Sequence, residues 1–306
     1  MNQAGQKPIS KLLPVAALLV LVVISLAVWW KPLTSTFALA LSDDQYTHIL
    51  LILPVSLALI YLNWKSPGAP TRFSMSLGAF TLILATVITV VVRMGLLAPH
   101  ADEQLSLNML ALVGWWIGSF IFSFGTGSFR RAVFPLCFLL WMVPIPGFIL
   151  NPAVRLLQDG SATAADLFFG MAGIPVAHEG TLITIPGLTI EVARECSSIR
   201  SSLMLVVTTM VLAQLLLRSP WRKAAVIALA FPLSVVKNGF RIFVLGMLGT
   251  RVDASFLTGR LHRQGGIIYF LLALILIFVA LALVRRGELK MASAQGIPSE
   301  RLAPKN

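Results

Sequence analysis

The chain reads as an all-α polytopic membrane protein of about eight transmembrane helices, with a small amphipathic helix and a β-hairpin on the outer face before the sixth span. Three observations predict this class. Hydrophobic residues fill 57% of the 306 positions and charged residues only 12%, against roughly 25% charged in a soluble domain. A water-soluble fold of this length could not hide so much apolar surface. The apolar residues are also gathered into runs of about 20, the length that crosses a hydrocarbon core. Finally, Lys and Arg fall mostly in short clusters between the runs, as cytoplasmic loops require.

The runs lie at residues 12–30, 48–63, 75–97, 105–124, 132–150, 197–217, 224–248 and 266–284. The first and last are apolar all round, without the one-sided period of a surface helix. Lys7 and Lys11 give the first run the look of a signal peptide. It is long for one, however, and no small-residue cleavage site follows, so a retained first helix is expected.

Loops carrying Lys7/Lys11, Lys65/Arg72, Arg130/Arg131, Arg218/Arg222/Lys223 and Arg285/Arg286/Lys290 alternate with loops carrying Asp43/Asp44, Asp102/Glu103 and Asp159/Asp166/Glu179. The basic set is assigned to the cytoplasm, with both termini inside. Residues 250–265 break the pattern, because Arg251, Arg260 and Arg263 stand there against Asp253 alone. Slack in the positive-inside tendency would allow that. So would a need for cations beside His262, which lies in the same loop. The formal net charge of +12 is thereby accounted for by topology, and a nucleic-acid partner is rejected.

In the outer segment 151–195, Val154, Leu157, Ala164, Ala165, Phe168 and Met171 recur at helical spacing opposite Arg155, Gln158, Asp159 and Asp166. This pattern suggests an amphipathic helix at the interface. Residues 181–185 and 188–192 are β-branched runs joined by Pro186-Gly187, a hairpin signal. There is no internal repeat. Residues 1–290 are expected to form a single polytopic domain, and residues 291–306 a disordered cytoplasmic tail.

Cys196 opens the sixth run at its outer end, where unpaired backbone N–H groups and the positive end of the helix dipole favour a thiolate. Arg194 and Arg200 push the same way and Glu195 opposes them; the plain alternative is a small buried hydrophobe. Cys137, taken as packing, lies about 9 Å in from the cytoplasmic side. That is roughly 15–20 Å from Cys196 in depth across a core of about 30 Å. A disulfide needs Cα atoms within about 7 Å, so both thiols should be free.

Lys237, Asn238 and Arg241 interrupt the seventh run, and Arg241 lies near its outer boundary, about 26 Å along the helix. Asn238 and Arg241 share a face. An intramembrane charge points to function by default, although Arg241 could also snorkel to the interface. Lys237 lies deeper and has no assigned role. His262 just precedes the last run and alone would pass for a surface residue. A thiol, a guanidinium and an imidazole at one membrane face are, together, the parts of an acyl transfer.

Glu191-Val192-Ala193-Arg194-Glu195-Cys196-Ser197-Ser198-Ile199-Arg200-Ser201 resembles the cysteine motif of the exosortase/archaeosortase family. Asn238-Gly239-Phe240-Arg241 resembles its Asn-x-x-Arg motif, and His262 with Gly265-Gly266 its histidine motif. Tyr46-Thr47-His48, Pro144-Ile145-Pro146 and the stretch from Gly173 to Gly180 are further matches. One departure is Ser198, where the family usually has Gly; it leaves the nucleophile in place and bears on the subfamily.

The resemblance implies a cysteine transpeptidase of the bacterial inner membrane. Cys196 would attack the scissile carbonyl, Arg241 steady the oxyanion and His262 shuttle protons, with Asn238, Arg200 and Ser197 in support. Substrates would be exported proteins with a C-terminal signal of motif, membrane helix and basic tail (PEP-CTERM type), passed to an unidentified acceptor. Family members often accompany extracellular polysaccharide synthesis. No metal-ligand spacing, phosphate loop or dinucleotide fingerprint occurs, so no cofactor is implied. Two rivals stay open: a transporter or polysaccharide-export component, which would need no outer thiol, and a protease with water as acceptor.

Overall fold

A computed structural model of the chain describes residues 9–62, 71–97, 100–192, 199–257 and 266–294. The chain divides into two compact units, the first ending at Gly147 and the second beginning at Phe148. In the first unit, α1 (Ile9–Val28) and α2 (Trp30–Ser42) are followed by α3 (Ile49–Leu62), α4 (Arg72–Arg93) and α5 (Ala101–Phe138). The second unit holds α6 (Gly147–Met171), β1 (Ala177–Glu179), β2 (Leu182–Ile185), β3 (Leu188–Glu191), α7 (Ile199–Leu216), α8 (Pro220–Arg251) and α9 (Gly266–Ala294).

The helical membrane class is as the sequence predicts. Among the described residues 6 helices are long and apolar enough to cross a membrane, or up to 7 if α1 and α2, bent by 74°, count as one span. The count of about eight is approximate, and much of the difference lies in α5. Its one non-helical residue is Gly125, at φ 79° and ψ 166°, a left-handed φ that glycine adopts without strain. Ser106 Oγ donates to the Pro144 carbonyl at 2.7 Å, and these two residues are equidistant in sequence from Gly125. A straight helix would hold them roughly 57 Å apart at 1.5 Å per residue. The chain therefore folds back at Gly125, and α5 is two antiparallel arms.

Small residues set the packing of the first unit. A Cβ on Gly78 of α4 would come within 2.6 Å of the Phe122 backbone nitrogen, so α4 and α5 approach backbone to backbone there. The indole N–H groups of Trp115 and Trp116 donate to the Leu21 carbonyl and to Ser25 Oγ, both at 2.9 Å, and fasten α5 to α1. Such bonds weigh heavily where no water competes. Cys137 is a free thiol exposed on the second arm of α5. It therefore packs against what surrounds the helix, and not in the chain's own core.

The fifth apolar run does not end as the sequence suggests. The helix stops before Val143, whose backbone is extended, and residues 147–150 open α6 instead. Two prolines explain the break, since Pro144 and Pro146 lack N–H donors and restrict the residue before each.

In the second unit the amphipathic segment is α6, and the hairpin is β2–β3, with Ile185 paired to Leu188 across the Pro186-Gly187 turn. Gly187 sits at φ 83°, the value that the third residue of a type II turn demands. The sequence reading lacks β1, which pairs antiparallel with β2. Ala162, Ala165 and Phe169 of α6, Ile183 and Ile185 of β2, Val192 and Ile242 of α8 form one buried cluster. Of the apolar stripe predicted on α6, Val154 and Ala165 are buried while Met171 is exposed; Phe169 takes the inward position that the spacing assigned to Phe168.

Candidate functional site

Arg200, Asn238 and Arg241 are among the described residues, whereas Cys196, Ser197 and His262 lie outside them. What the structure shows is the frame on either side of those three. Ahead of the cysteine, Val192 is 1% exposed, its N–H donates to the Thr181 carbonyl at 2.9 Å, and its own carbonyl accepts from Gln158 Nε2 at 2.8 Å. The chain entering the motif is thus pinned to both the sheet and α6. Beyond it, α7 begins at Ile199, which is buried, while Arg200 is exposed.

α7 and α8 are joined by Leu217–Ser219 and pack against each other. Pro220 opens α8 at its first position, where a missing N–H costs no bond. The Glu288 carboxylate of α9 accepts from the backbone N–H groups of Arg218 and Ser219 at 3.2 and 3.1 Å and lies 3.8 Å from Arg222 Nη1. An acid at a helix N-terminus also meets the dipole favourably. This contact brings the two basic segments around Arg222 and Arg286 to one end of the second unit.

Midway along α8, level with the first turn of α7, polar groups collect. Lys237 is 7% exposed and donates from Nζ to Ser201 Oγ, in the first turn of α7, at 2.5 Å. Asn238 is 1% exposed and Arg241 half-buried. Lys237 and Arg241 are one helical turn apart and feel each other's charge. The charge of Arg241 also reaches Tyr269, near the start of α9, and Phe240 packs its ring edge-on to Tyr269 at 6.2 Å. Gly239 faces the remaining neighbour, since a Cβ there would sit 2.5 Å from Ala164 Cβ and 2.9 Å from the Ala165 nitrogen of α6. Four consecutive residues of α8, 237–240, thus address α7, the buried interior, α6 and α9 in turn.

Sequence reading had no role for Lys237 and did not single out Tyr269 or the pairing with Ser201. A signal for the last existed. Ser201 and Lys237 are equidistant in sequence from Ser219, so an α7–α8 hairpin places them at one level. Between α8 and α9, Asp253 Oδ1 accepts from the Ser255 N–H at 2.7 Å. That bond holds the Asp253 carboxyl below the usual carboxylate range and caps the short turn Ala254–Leu257. Among the described residues no group of His, Cys, Asp and Glu could hold a metal ion.

This is a helical membrane protein in which a buried cation and amide collect where α7, α8 and α9 meet, a placement that points to a functional site by default. The family model described as transmembrane exosortase matches residues 29–279. The chain belongs to that family, and so to the multi-pass membrane proteins of protein sorting. No curated protein and no solved structure matches it.

Proposed function

We propose that residues 1–290 form one membrane-embedded cysteine transpeptidase that cleaves C-terminal sorting signals from exported proteins. The reaction takes place at the outer face of the bacterial inner membrane, with both termini in the cytoplasm. The Cys196 thiol gives its proton to His262 and attacks the scissile carbonyl, and the oxyanion so formed is held by Arg241. Collapse breaks the C–N bond, the leaving amine takes the proton back from His262, and a thioester remains for the acceptor to attack. Asn238, Arg200 and Ser197 support the three. The substrates carry a motif, a membrane helix and a basic tail.

One observation carries this reading. Ser201, five residues after Cys196, and Tyr269, seven after His262, both meet the stretch Lys237–Arg241 of α8. Segments far apart in sequence thereby approach the guanidinium that the mechanism needs.

The test uses an exported precursor from the parent genome, expressed with the full chain in a Cys137→Ala background. A membrane-impermeant maleimide added from outside should label Cys196 and stop processing, and Cys196→Ala should process nothing at wild-type membrane abundance. Processing that survives in Cys196→Ala, or labelling only from the cytoplasmic side, overturns the proposal.

A further inference from the structure

The chain passes from the sheet toward the cysteine motif through Val192, and a side chain of α6 holds it there. β3 ends at Glu191. One residue on, the Val192 N–H still donates to the Thr181 carbonyl at 2.9 Å, while its own carbonyl accepts from Gln158 Nε2 at 2.8 Å. Val192 is 1% exposed and belongs to the same buried cluster as Ala162, which lies one turn beyond Gln158 on α6. A backbone carbonyl buried away from water needs a donor, and where the ladder stops the Gln158 amide supplies it. An apolar side chain of the same length would fill that space without offering one.

The same stretch of α6 also fixes where α8 lies. A Cβ on Gly160 would come 3.0 Å from Val235 Cγ1, and one on Gly239 would come 2.5 Å from Ala164 Cβ. Residues 160 and 164 thus meet 235 and 239, so one turn of α6 is matched to one turn of α8 running the same way. On that register Gln158 is level with residue 233, eight residues or about 12 Å before Arg241. Cys196 follows Val192 by four residues, and four residues of extended chain cover at most about 14 Å. α6 is therefore the common reference for the chain that delivers the thiol and for the helix that delivers the guanidinium, and the chain is long enough to join their levels.

We propose that Gln158 is a positioning residue of the sorting reaction: through the Val192 carbonyl it sets where the chain carrying Cys196 leaves the sheet, and so places the thiol relative to Arg241. The role rests on the sorting reading above and deepens it. Gln158 acts through the backbone and not on the substrate. Without its amide, Val192 keeps the bond to Thr181 and its place in the buried cluster. Only the carbonyl side of the junction is released, which is the side that leads to the thiol. A reacting group misplaced by about 1 Å can cost roughly a hundredfold in rate, so the loss falls on the chemical step and not on substrate binding.

The experiment measures kcat and KM of the purified full chain in detergent, on the same precursor and across a range of pH. Gln158→Met keeps the length and removes the donor, so kcat should fall roughly 10–100-fold with KM unchanged. Gln158→Glu sets a carboxylate against the Val192 carbonyl and should lose as much at alkaline pH. Once protonated, the acid has an O–H that can donate as the amide does. Its kcat relative to wild type at the same pH should therefore climb as pH falls through the carboxyl's titration, while the Gln158→Met ratio stays flat. A Gln158→Met enzyme with wild-type kcat, a loss confined to KM, or a Gln158→Glu ratio indifferent to pH would each overturn the role. Should Gln158→Met fail to accumulate, the pH dependence of Gln158→Glu decides alone. Cys196→Ala separates this from the reading beneath it. If that variant still processes precursor, the sorting mechanism falls; if it does not and Gln158→Met matches wild type, only the positioning role falls.

Discussion

A polar cluster of the first unit and one of the second take different kinds of partner. In the first, Tyr46 donates to the Ile145 carbonyl at 3.3 Å, Ser106 to the Pro144 carbonyl at 2.7 Å, and the Asp102 carboxylate accepts from the Gly147 N–H at 2.9 Å. His48 is 2% exposed, faces the Gln45 carbonyl at 3.2 Å through Nδ1 and sets its ring edge-on to Trp141. Backbone groups that the prolines leave outside the helices are thereby satisfied, as hydrocarbon surroundings demand. In the second unit a buried ammonium rests on a neutral hydroxyl beside another cation. The first arrangement ties the segment around Tyr46 and the N-terminal turn of α5 to residues 144–147 and reads as a clasp. The second gathers Lys237, Asn238 and Arg241 on α8 opposite the first turn of α7.

Four variants break or sharpen that contrast. The largest effect is expected from Cys196→Ala, which should abolish precursor processing and leave thermal unfolding in detergent unchanged. Arg241→Lys comes next. It keeps the charge and loses the planar fork, so processing should fall by about 10²–10³, the range for one lost oxyanion donor. Membrane abundance should hold, because Lys can snorkel from the same depth. Wild-type processing by Arg241→Lys would make the residue an interface anchor and move the boundary between clasp and site.

Gly239→Ala lies between the two behaviours. Its Cβ meets Ala164 Cβ at 2.5 Å, so α6 and α8 must part, at a cost of about 1–3 kcal/mol by thermal melting. Processing should fall with it, because the same displacement moves Asn238 and Arg241. The smallest effect is expected from Tyr46→Phe. It deletes one hydrogen bond in the first unit and should lower stability by about 0.5–1.5 kcal/mol while leaving processing per folded molecule at the wild-type level. A Tyr46→Phe enzyme that folds normally yet does not process would show that the clasp is part of the site.

Much of this was legible residue by residue. Apolar runs located the helices because a bilayer rewards length and continuous hydrophobicity and little else. Pro186-Gly187 located the hairpin because a turn with positive φ wants glycine at that position. The Asn-Gly-Phe-Arg stretch was legible as an interruption of an apolar run. What its members do was not, since Gly239 answers to Ala164, far off on α6. Likewise β1 lies in a segment without strong alternation and exists because β2 offers it a partner.

By itself, then, the sequence determined that this chain lives in a membrane, roughly where it crosses, and which family it resembles. These follow from composition, run length and short motifs, all local properties. Tertiary structure alone decided that α5 doubles back at Gly125, that Tyr46 meets Ile145, and that Lys237 spends its charge on Ser201. A hydrogen bond depends on where two helices lie against each other. That is fixed by side-chain volume and close approach across the whole unit, and no window of sequence contains it.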